Sequence, residues 1–350
     1  MNVFFYAHHL YYLPQFLPIA IAFARQHTVS FGYASKATAR EAEILVSEIS
    51  SNGWPIHPPS KAPVHANNSD VLILGSSSDI ESLAGPKTLA VLLFHSIGLK
   101  RIYYTDYHPR INLRFIESDY HRNRCLEFTP DLDIRTVGFA KLDPLYNNTL
   151  ATVEYLPDGD GPSILYAPTF YPGSLEILGH LIRSWPPNWQ VLIKPHQFTL
   201  TNPFYRYQRV LLEDLAQQCS NVTVLPLDAY SILPAYQWAD VLVSEISSTI
   251  IEFSVMDKPI VVCDQLHLRL HHRQRRSRYL ERRVDLELLG LLDFAHHSVT
   301  AADVADTIIH AMEHPDELAS KRKRGRETLV GQYDGQASER IVEIIENTVI

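Results

Sequence analysis

Short apolar runs alternate with amphipathic stretches along the first half of the chain. Asn2–Tyr6 (NVFFY) reads as a buried strand, Leu13–Arg25 carries apolar residues at helical spacing, and Thr28–Tyr33 (TVSFGY) returns to strand. Strand, helix and strand within about 35 residues make a unit of a parallel sheet. Ala39–Ser50 follows as helix, then strands at Asp70–Leu74 (DVLIL), Leu89–Phe94 (LAVLLF), Arg114–Glu117 and Arg135–Val137. Between Asp143 and Pro162 the periodicity stops in a turn-rich stretch of Asn, Asp, Gly and Pro. A second series then opens, with strands at Ser163–Tyr166, Gln190–Ile193, Val222–Leu225, Val241–Val243 and Ile260–Cys263. Helices at Leu175–Ser184, Phe204–Gln218 and Thr249–Met256 fall between these strands, and the tail Ala301–Ile350 is mainly helical. The expected architecture is α/β, with two Rossmann-like domains whose parallel sheets face an interdomain cleft. Residues 1–150 form the first domain and 158–325 the second, and the helix of 326–350 packs back on the first.

Composition narrows the function. With 46% hydrophobic and 20% charged residues the chain is globular, and a net charge of −8 argues against a nucleic-acid binder. The basic run Arg273–Arg283 has two readings, a solvated face or a contact with phosphates or an anionic membrane surface. The three cysteines form no CxxC pair, so neither a zinc site nor a disulfide framework is expected, which fits a reducing compartment. The apolar stretch Phe4–Ala24 is interrupted by His8, His9, Pro14, Gln15 and Pro18 and has no basic leader, so a soluble, cytoplasmic protein is expected.

In open parallel sheets, ligands bind beyond the carboxyl ends of the strands. Four strand ends carry suitable chemistry. His95, before Gly98 and Lys100, can act as a general base, bind a phosphate, or be an ordinary strand-end histidine. Thr169, after Ala167-Pro168, can donate to a phosphate. Lys194 and His196 place two cationic or donating groups on one side of the chain, which suits a diphosphate. The run Ser244, Ser247, Ser248 and Thr249 lies between a buried strand and a helix, where hydroxyls and backbone N–H groups form an anion site or simply cap the helix. Glu252, one turn on, faces where a ribose hydroxyl could sit. No glycine fingerprint of the dinucleotide or P-loop type occurs, which counts against NAD enzymes and ATPases. Tyr103, Tyr104 and Tyr107 either line an acceptor groove or pack as an aromatic loop, and Trp54, Trp185 and Trp189 are assigned to packing.

Taken together, these segments resemble the CDP-glycerol glycerophosphotransferase family of teichoic-acid and capsule polymerases. DVLVSEISSTIIEF followed by KPIVVCD is similar to that family's D-V-L-I-T-D-Y-S-S run and the strand after it. ILYAPTF, His95 with Gly98 and Lys100, Gly138–Asp143 (GFAKLD), Lys194-Pro195-His196 and Asp334–Arg340 (DGQASER) resemble further family segments in the same order. The resemblance covers about residues 89–342. It implies a GT-B fold with the nucleotide held mainly by the second domain. His95 becomes the catalytic base, and His196 a catalytic phosphate ligand beside Lys194 and Thr169. Ser244, Ser247, Ser248 and Thr249 hold the diphosphate, and Glu252 the ribose region. Neither metal nor other cofactor is implied. The partners are a nucleotide-activated donor such as CDP-glycerol and a glycan or lipid-linked glycan acceptor in cell-envelope synthesis, with peripheral contact at the inner membrane face as an addition.

The chain departs from the family where Ser96 replaces a glycine and where Ser244-Glu245-Ile246 replaces Thr-Asp-Tyr. Two alternatives stand beside the family reading. One is a GT-B glycosyltransferase or epimerase using a UDP-sugar or CMP-Kdo. The other is a non-catalytic nucleotide-binding subunit, with Glu245 and Ser96 as marks of lost activity.

Overall fold

The computed structural model describes residues 1–349, the side chain of Tyr279 excepted, so Ile350 at the end of the expected helical tail lies outside the described residues. The chain forms two compact units. Unit 1 comprises Met1–Ile97, Ile102–Thr149 and the segment from Thr328 onward, and unit 2 comprises Gly98–Arg101 and Leu150–Glu327.

Unit 1 holds seven strands: β1 (Asn2–Ala7), β2 (Thr28–Tyr33), β3 (Ile56–His57), β4 (Val71–Leu74), β5 (Leu89–Leu93), β6 (Leu113–Ile116) and β7 (Asp133–Thr136), in the order β3-β2-β1-β4-β5-β6-β7. Unit 2 holds six: β8 (Ser163–Tyr166), β9 (Gln190–Ile193), β10 (Val222–Val224), β11 (Val241–Ser244), β12 (Ile260–Cys263) and β13 (His296–Ser298), in the order β10-β9-β8-β11-β12-β13. Every pairing in both sheets is parallel. Helices cover both faces of such a sheet, which is why the central strands are apolar throughout: β4, β11 and β12 are buried at every residue. Strand order reverses between β1 and β4 and between β8 and β11, so each sheet has its crevice at those strand ends.

Two strands escape the sequence pattern. β3 has two residues and β13, reading His-His-Ser, has three, too few for any periodicity and without an apolar run. The expected helix Thr249–Met256 is also shorter: the α-helical part ends at Phe253, and Ser254–Met256 is a 3-10 turn. Tyr103 and Tyr104 are core residues, 1% and 0% exposed, and the Tyr104 hydroxyl lies 2.8 Å from His121 Nδ1. Trp185 and Trp189 pack edge to face in the core of unit 2.

Two family-like segments meet inside unit 1. Asp143 is buried, and its carboxylate accepts from the backbone N–H groups of Ala337 (3.2 Å) and Ser338 (2.7 Å) and from the Ser338 hydroxyl (2.7 Å), at the start of the helix Ala337–Val349. A carboxylate there satisfies N–H groups that the helix leaves open and complements its dipole. Arg340 forms a two-pronged pair with Asp334 (2.8 and 2.9 Å) and donates to the Val137 carbonyl. GFAKLD and DGQASER are therefore one structural clasp. The helix they anchor also pairs with the helix Leu13–Phe23 and the residues after it, through Arg25–Glu339 and His27–Glu346.

Candidate functional site

The candidate donor site grows from the strand ends of unit 2. After β8 the chain runs through Ala167–Ser174 before the helix Leu175–Leu181, and after β11 it runs through Glu245–Ser248 before the helix Thr249–Phe253. Glu245 ties the two loops together. Its carboxyl group, 1% exposed, accepts from the Thr169 N–H (2.7 Å), the Ser174 N–H (3.2 Å) and the Ser174 hydroxyl (2.9 Å). Burial pushes its pKa up to about 8 against the opposing pull of those hydrogen bonds. Gly173 is required by this approach: a Cβ there would lie 2.6 Å from the Thr169 carbonyl oxygen and 3.2 Å from the Glu245 carboxylate. Glu245, a departure from the family pattern, is thus the brace of the loop pair.

The hydroxyl run forms a connected set with two roles. The Ser244 hydroxyl, fully buried, donates to the Ala167 carbonyl (2.7 Å) and lies 3.2 Å from Thr249 Oγ1. Thr249 Oγ1 donates to Ser247 Oγ (3.0 Å), and Ser248 Oγ donates to Glu252 Oε1 (3.1 Å). The other oxygen of Glu252 accepts from the Tyr236 hydroxyl (3.0 Å), and Glu252 is 1% exposed. Ser244, Thr169 and Glu252, expected to bind phosphate or ribose, lie buried in this network. The Ser244 hydroxyl supports the loop after β8, the Thr169 backbone N–H serves Glu245, and Glu252 accepts from Ser248. Ser247, Ser248 and Thr249 remain partly exposed. The helix behind them has five residues, so side chains rather than a long helix dipole carry the polarity here.

Around the loop after β8 stand cationic and hydrogen-bonding side chains that lie far apart in the sequence. His196 lies against the Phe170 ring (4.6 Å between centroids), and its Nδ1 accepts from the Phe198 N–H (3.1 Å). Neutral His196 consequently carries its proton on Nε2, as a donor. Lys100 belongs to unit 2, held by the Arg101 N–H to Arg283 carbonyl bond (3.0 Å) and the Asp285 N–H to Leu99 carbonyl bond (2.9 Å), and its ammonium sits 5.2 Å from the centre of the same Phe170 ring. Burial, with help from Arg283, pushes the Lys100 pKa down to about 8. Arg269 stacks between Tyr171 (4.4 Å) and Phe204 (4.1 Å). Lys194 is half-buried at the end of β9, its N–H bonded to the Tyr166 carbonyl (2.9 Å). Phe170, Lys100 as a partner of that ring, and Arg269 were missed as site residues, because only the folded loop brings them together.

In unit 1, His95 follows β5 and is half-buried between two aromatic rings, Tyr11 (4.3 Å) and Tyr12 (4.7 Å). Gly75, at the end of β4, allows Tyr12 that place: a Cβ there would lie 1.8 Å from the Tyr12 ring. His8, at the end of β1, is 1% exposed, with Nε2 3.0 Å from the Ser78 carbonyl and 3.1 Å from its hydroxyl. Burial, then the charge of Lys36, pushes the His8 pKa down to about 4, so it is neutral at pH 7. Lys36 donates to the Ser78 hydroxyl (3.3 Å). A histidine directly after the first buried strand was the available signal for this group.

The family model for CDP-glycerol:poly(glycerophosphate) glycerophosphotransferases matches residues 128–347. Comparison with curated proteins returns no significant match. Among solved structures, the wall teichoic acid polymerase TagF superimposes with a TM-score of 0.68 at 12% identity, over 100% of this chain and 88% of its own. S. aureus MnaA with UDP gives 0.64 at 14% identity over 99% and 96%. UDP-GlcNAc 2-epimerase from Neisseria meningitidis bound to UDP-GlcNAc gives 0.62 at 14% identity over 99% and 100%. At such identities the likenesses establish the fold, GT-B with two parallel-sheet units, and the family match separates the transferases from the epimerases. The chain belongs to the CDP-glycerol:poly(glycerophosphate) glycerophosphotransferase family and is an enzyme of that type, with a CDP-activated donor and a glycan acceptor.

Proposed function

We propose that the chain transfers glycerol phosphate, or a related alditol phosphate, from its CDP conjugate to a hydroxyl of a lipid-linked or surface glycan in teichoic-acid-like envelope polymer synthesis. The observation that carries this is the gathering of Lys100, His196 and Arg269 around one loop, which Glu245 ties to the hydroxyl run Ser247–Thr249. Such a group suits a diphosphate, whose departing phosphate gains charge as its bond breaks. In this reading unit 2 is the donor unit. Lys100, Lys194 and His196 Nε2 contact the phosphates with Ser247, Ser248 and Thr249, while Thr169, Ser244, Glu245 and Glu252 are positioning residues.

Unit 1 is the acceptor unit, and His95 is the base. The acceptor oxygen attacks the phosphorus that carries the glycerol and gives up its proton to His95. A new P–O ester bond forms, the P–O bond of the diphosphate breaks, and CMP leaves with that bond's electrons. His8, Lys36 and Ser78 supply polar contacts for the acceptor. His95→Ala should reduce turnover of CDP-glycerol by at least about 100-fold, the usual worth of a general base, while calorimetry finds CDP affinity within a factor of two. Normal turnover by this variant sinks the mechanism, and tighter binding of UDP than CDP to the wild type sinks the donor assignment.

Among the described residues no helix is long and apolar enough to cross a membrane. The segment Arg275–Arg278 and Arg282–Arg283 is exposed, on and beside the helix Arg276–Arg283. Peripheral contact with anionic lipid through it follows from its charge. Sedimentation with anionic but not neutral vesicles, lost when these arginines become glutamine, is the expected result, and equal sedimentation with both excludes it.

A further inference from the structure

β13 brings His296 to the helix Val304–Glu313, which carries His310, and to Glu317 in the turn beyond it. One donor atom of each lies within 4.8 Å of the other two. His310 Nε2 and Glu317 Oε2 are 2.7 Å apart, and the rings of His296 and His310 are 5.6 Å apart at 75°. His296 Nε2 is buried and has no hydrogen-bond partner among the described residues. A buried imidazole nitrogen with nothing to bond is an anomaly in a folded protein and calls for an occupant. From this juxtaposition we propose a binding site for a divalent transition-metal ion of the zinc class, held by His296, His310 and Glu317.

The donor set fits that class. Two imidazoles and a carboxylate suit zinc, with water completing a tetrahedron, whereas calcium and magnesium prefer oxygen throughout. Tetrahedral zinc with ligand bonds of about 2.0–2.1 Å needs donor atoms about 3.4 Å apart. The His310–Glu317 pair would open slightly and His296 approach by about 1 Å, shifts that exposed Glu317 and His310 can make. His314, one turn after His310, has its ring 4.7 Å from the His310 ring. His297 is engaged by Asp264 (3.0 Å) on its own side of the strand. Arg322, whose charge reaches His296, is committed to Asp257 and the Pro315 carbonyl. The ion would pin edge strand β13 to the helix beside it and the turn beyond. None of its ligands belongs to the donor site, so the site stands whether or not the transfer reaction is as proposed.

The test uses the full, untagged chain stripped with chelator. Zinc chloride in calorimetry, with cobalt(II) as a visible-absorption probe, should show one saturable equivalent and a raised melting temperature. His310→Gln and Glu317→Gln, at exposed positions that leave the fold intact, should each weaken zinc binding at least tenfold, and His296→Gln should weaken it as much. Magnesium should not compete. Absence of saturable zinc binding, or binding unchanged in all three variants, overturns the proposal. CDP affinity should be the same with and without zinc, and its loss on chelation would also contradict a site separate from the donor.

Discussion

Replacing Glu245 tests whether one buried carboxylate braces the two loops of the donor site. Its oxygens take two backbone N–H groups and one hydroxyl. In Glu245→Ala the Ser174 hydroxyl still has Tyr166 at 2.7 Å, but the N–H groups of Thr169 and Ser174 lose their acceptor in a buried setting. Each unsatisfied amide costs about 1–3 kcal/mol, so the loss is roughly 2–6 kcal/mol. For a unit of this size that lowers the melting temperature by about 2–4 °C per kcal/mol. The comparison belongs at pH 5, where the wild-type group is neutral when folded and its ionisation in the unfolded state costs less than about 1 kcal/mol. Glu245→Gln keeps an acceptor and removes the titration. The folded pKa, about 8, is raised above the ordinary 4.5, so the folded state holds a proton that the unfolded state has released. Wild-type stability from this group is therefore full below about pH 4.5 and is lost as pH rises through about 8. The glutamine variant should gain on wild type by about 1.4 kcal/mol per pH unit, on the order of 4 kcal/mol between pH 5 and 8. Denaturant titration at several pH values gives this difference, and hydrogen exchange of the Thr169 and Ser174 amides reports the brace locally. An alanine variant as stable as wild type at pH 5 with both amides still protected, or a wild-type-to-glutamine difference that stays flat from pH 5 to 8, would refute the reasoning.

Lys100 should give the donor site an alkaline limit. Its pKa of about 8 means the charge that attracts a diphosphate is lost above that pH, so CDP affinity should fall by up to tenfold per pH unit there. Lys100→Arg should remove this break and Lys100→Met should bind weakly without it, and a break unchanged in both assigns the titration elsewhere. The stability term has the opposite sign: the unfolded lysine keeps its proton up to about 10.5, so this group's contribution rises with pH between about 8 and 10.5. Asp143→Ala should loosen the helix Ala337–Val349 from unit 1 by about 2–6 kcal/mol, since two backbone N–H groups lose their acceptor, with early proteolysis near Ser338 as the readout. An unchanged cleavage pattern would show that Asp143 does not hold the clasp.

Much of this protein is written locally in the chain. Strands such as Val71–Leu74 and Val241–Ser244 are apolar at almost every position because both faces of a parallel sheet are covered, and that pattern survives in one dimension. The same holds for the ordered motifs that resemble the family, since each except Asp334–Arg340 lies within a few residues of a strand end. What the sequence could not decide is which of those side chains face a ligand. Ser244 and Glu252 have the right chemistry at the right spacing, and the folded chain also gives them partners within the protein, the Ala167 carbonyl for Ser244 and the Ser248 and Tyr236 hydroxyls for Glu252. Glu245 looked like a defect until the loop after β8 supplied its three donors. Lys100 and His196 share the Phe170 ring although 96 positions separate them in the chain, and His296 meets His310 and Glu317 only because the three-residue edge strand β13 lies against the helix Val304–Glu313. Apolar periodicity and short motifs record what a segment is. The partners of a polar group are set by strand order and loop closure, so they exist only in the folded chain.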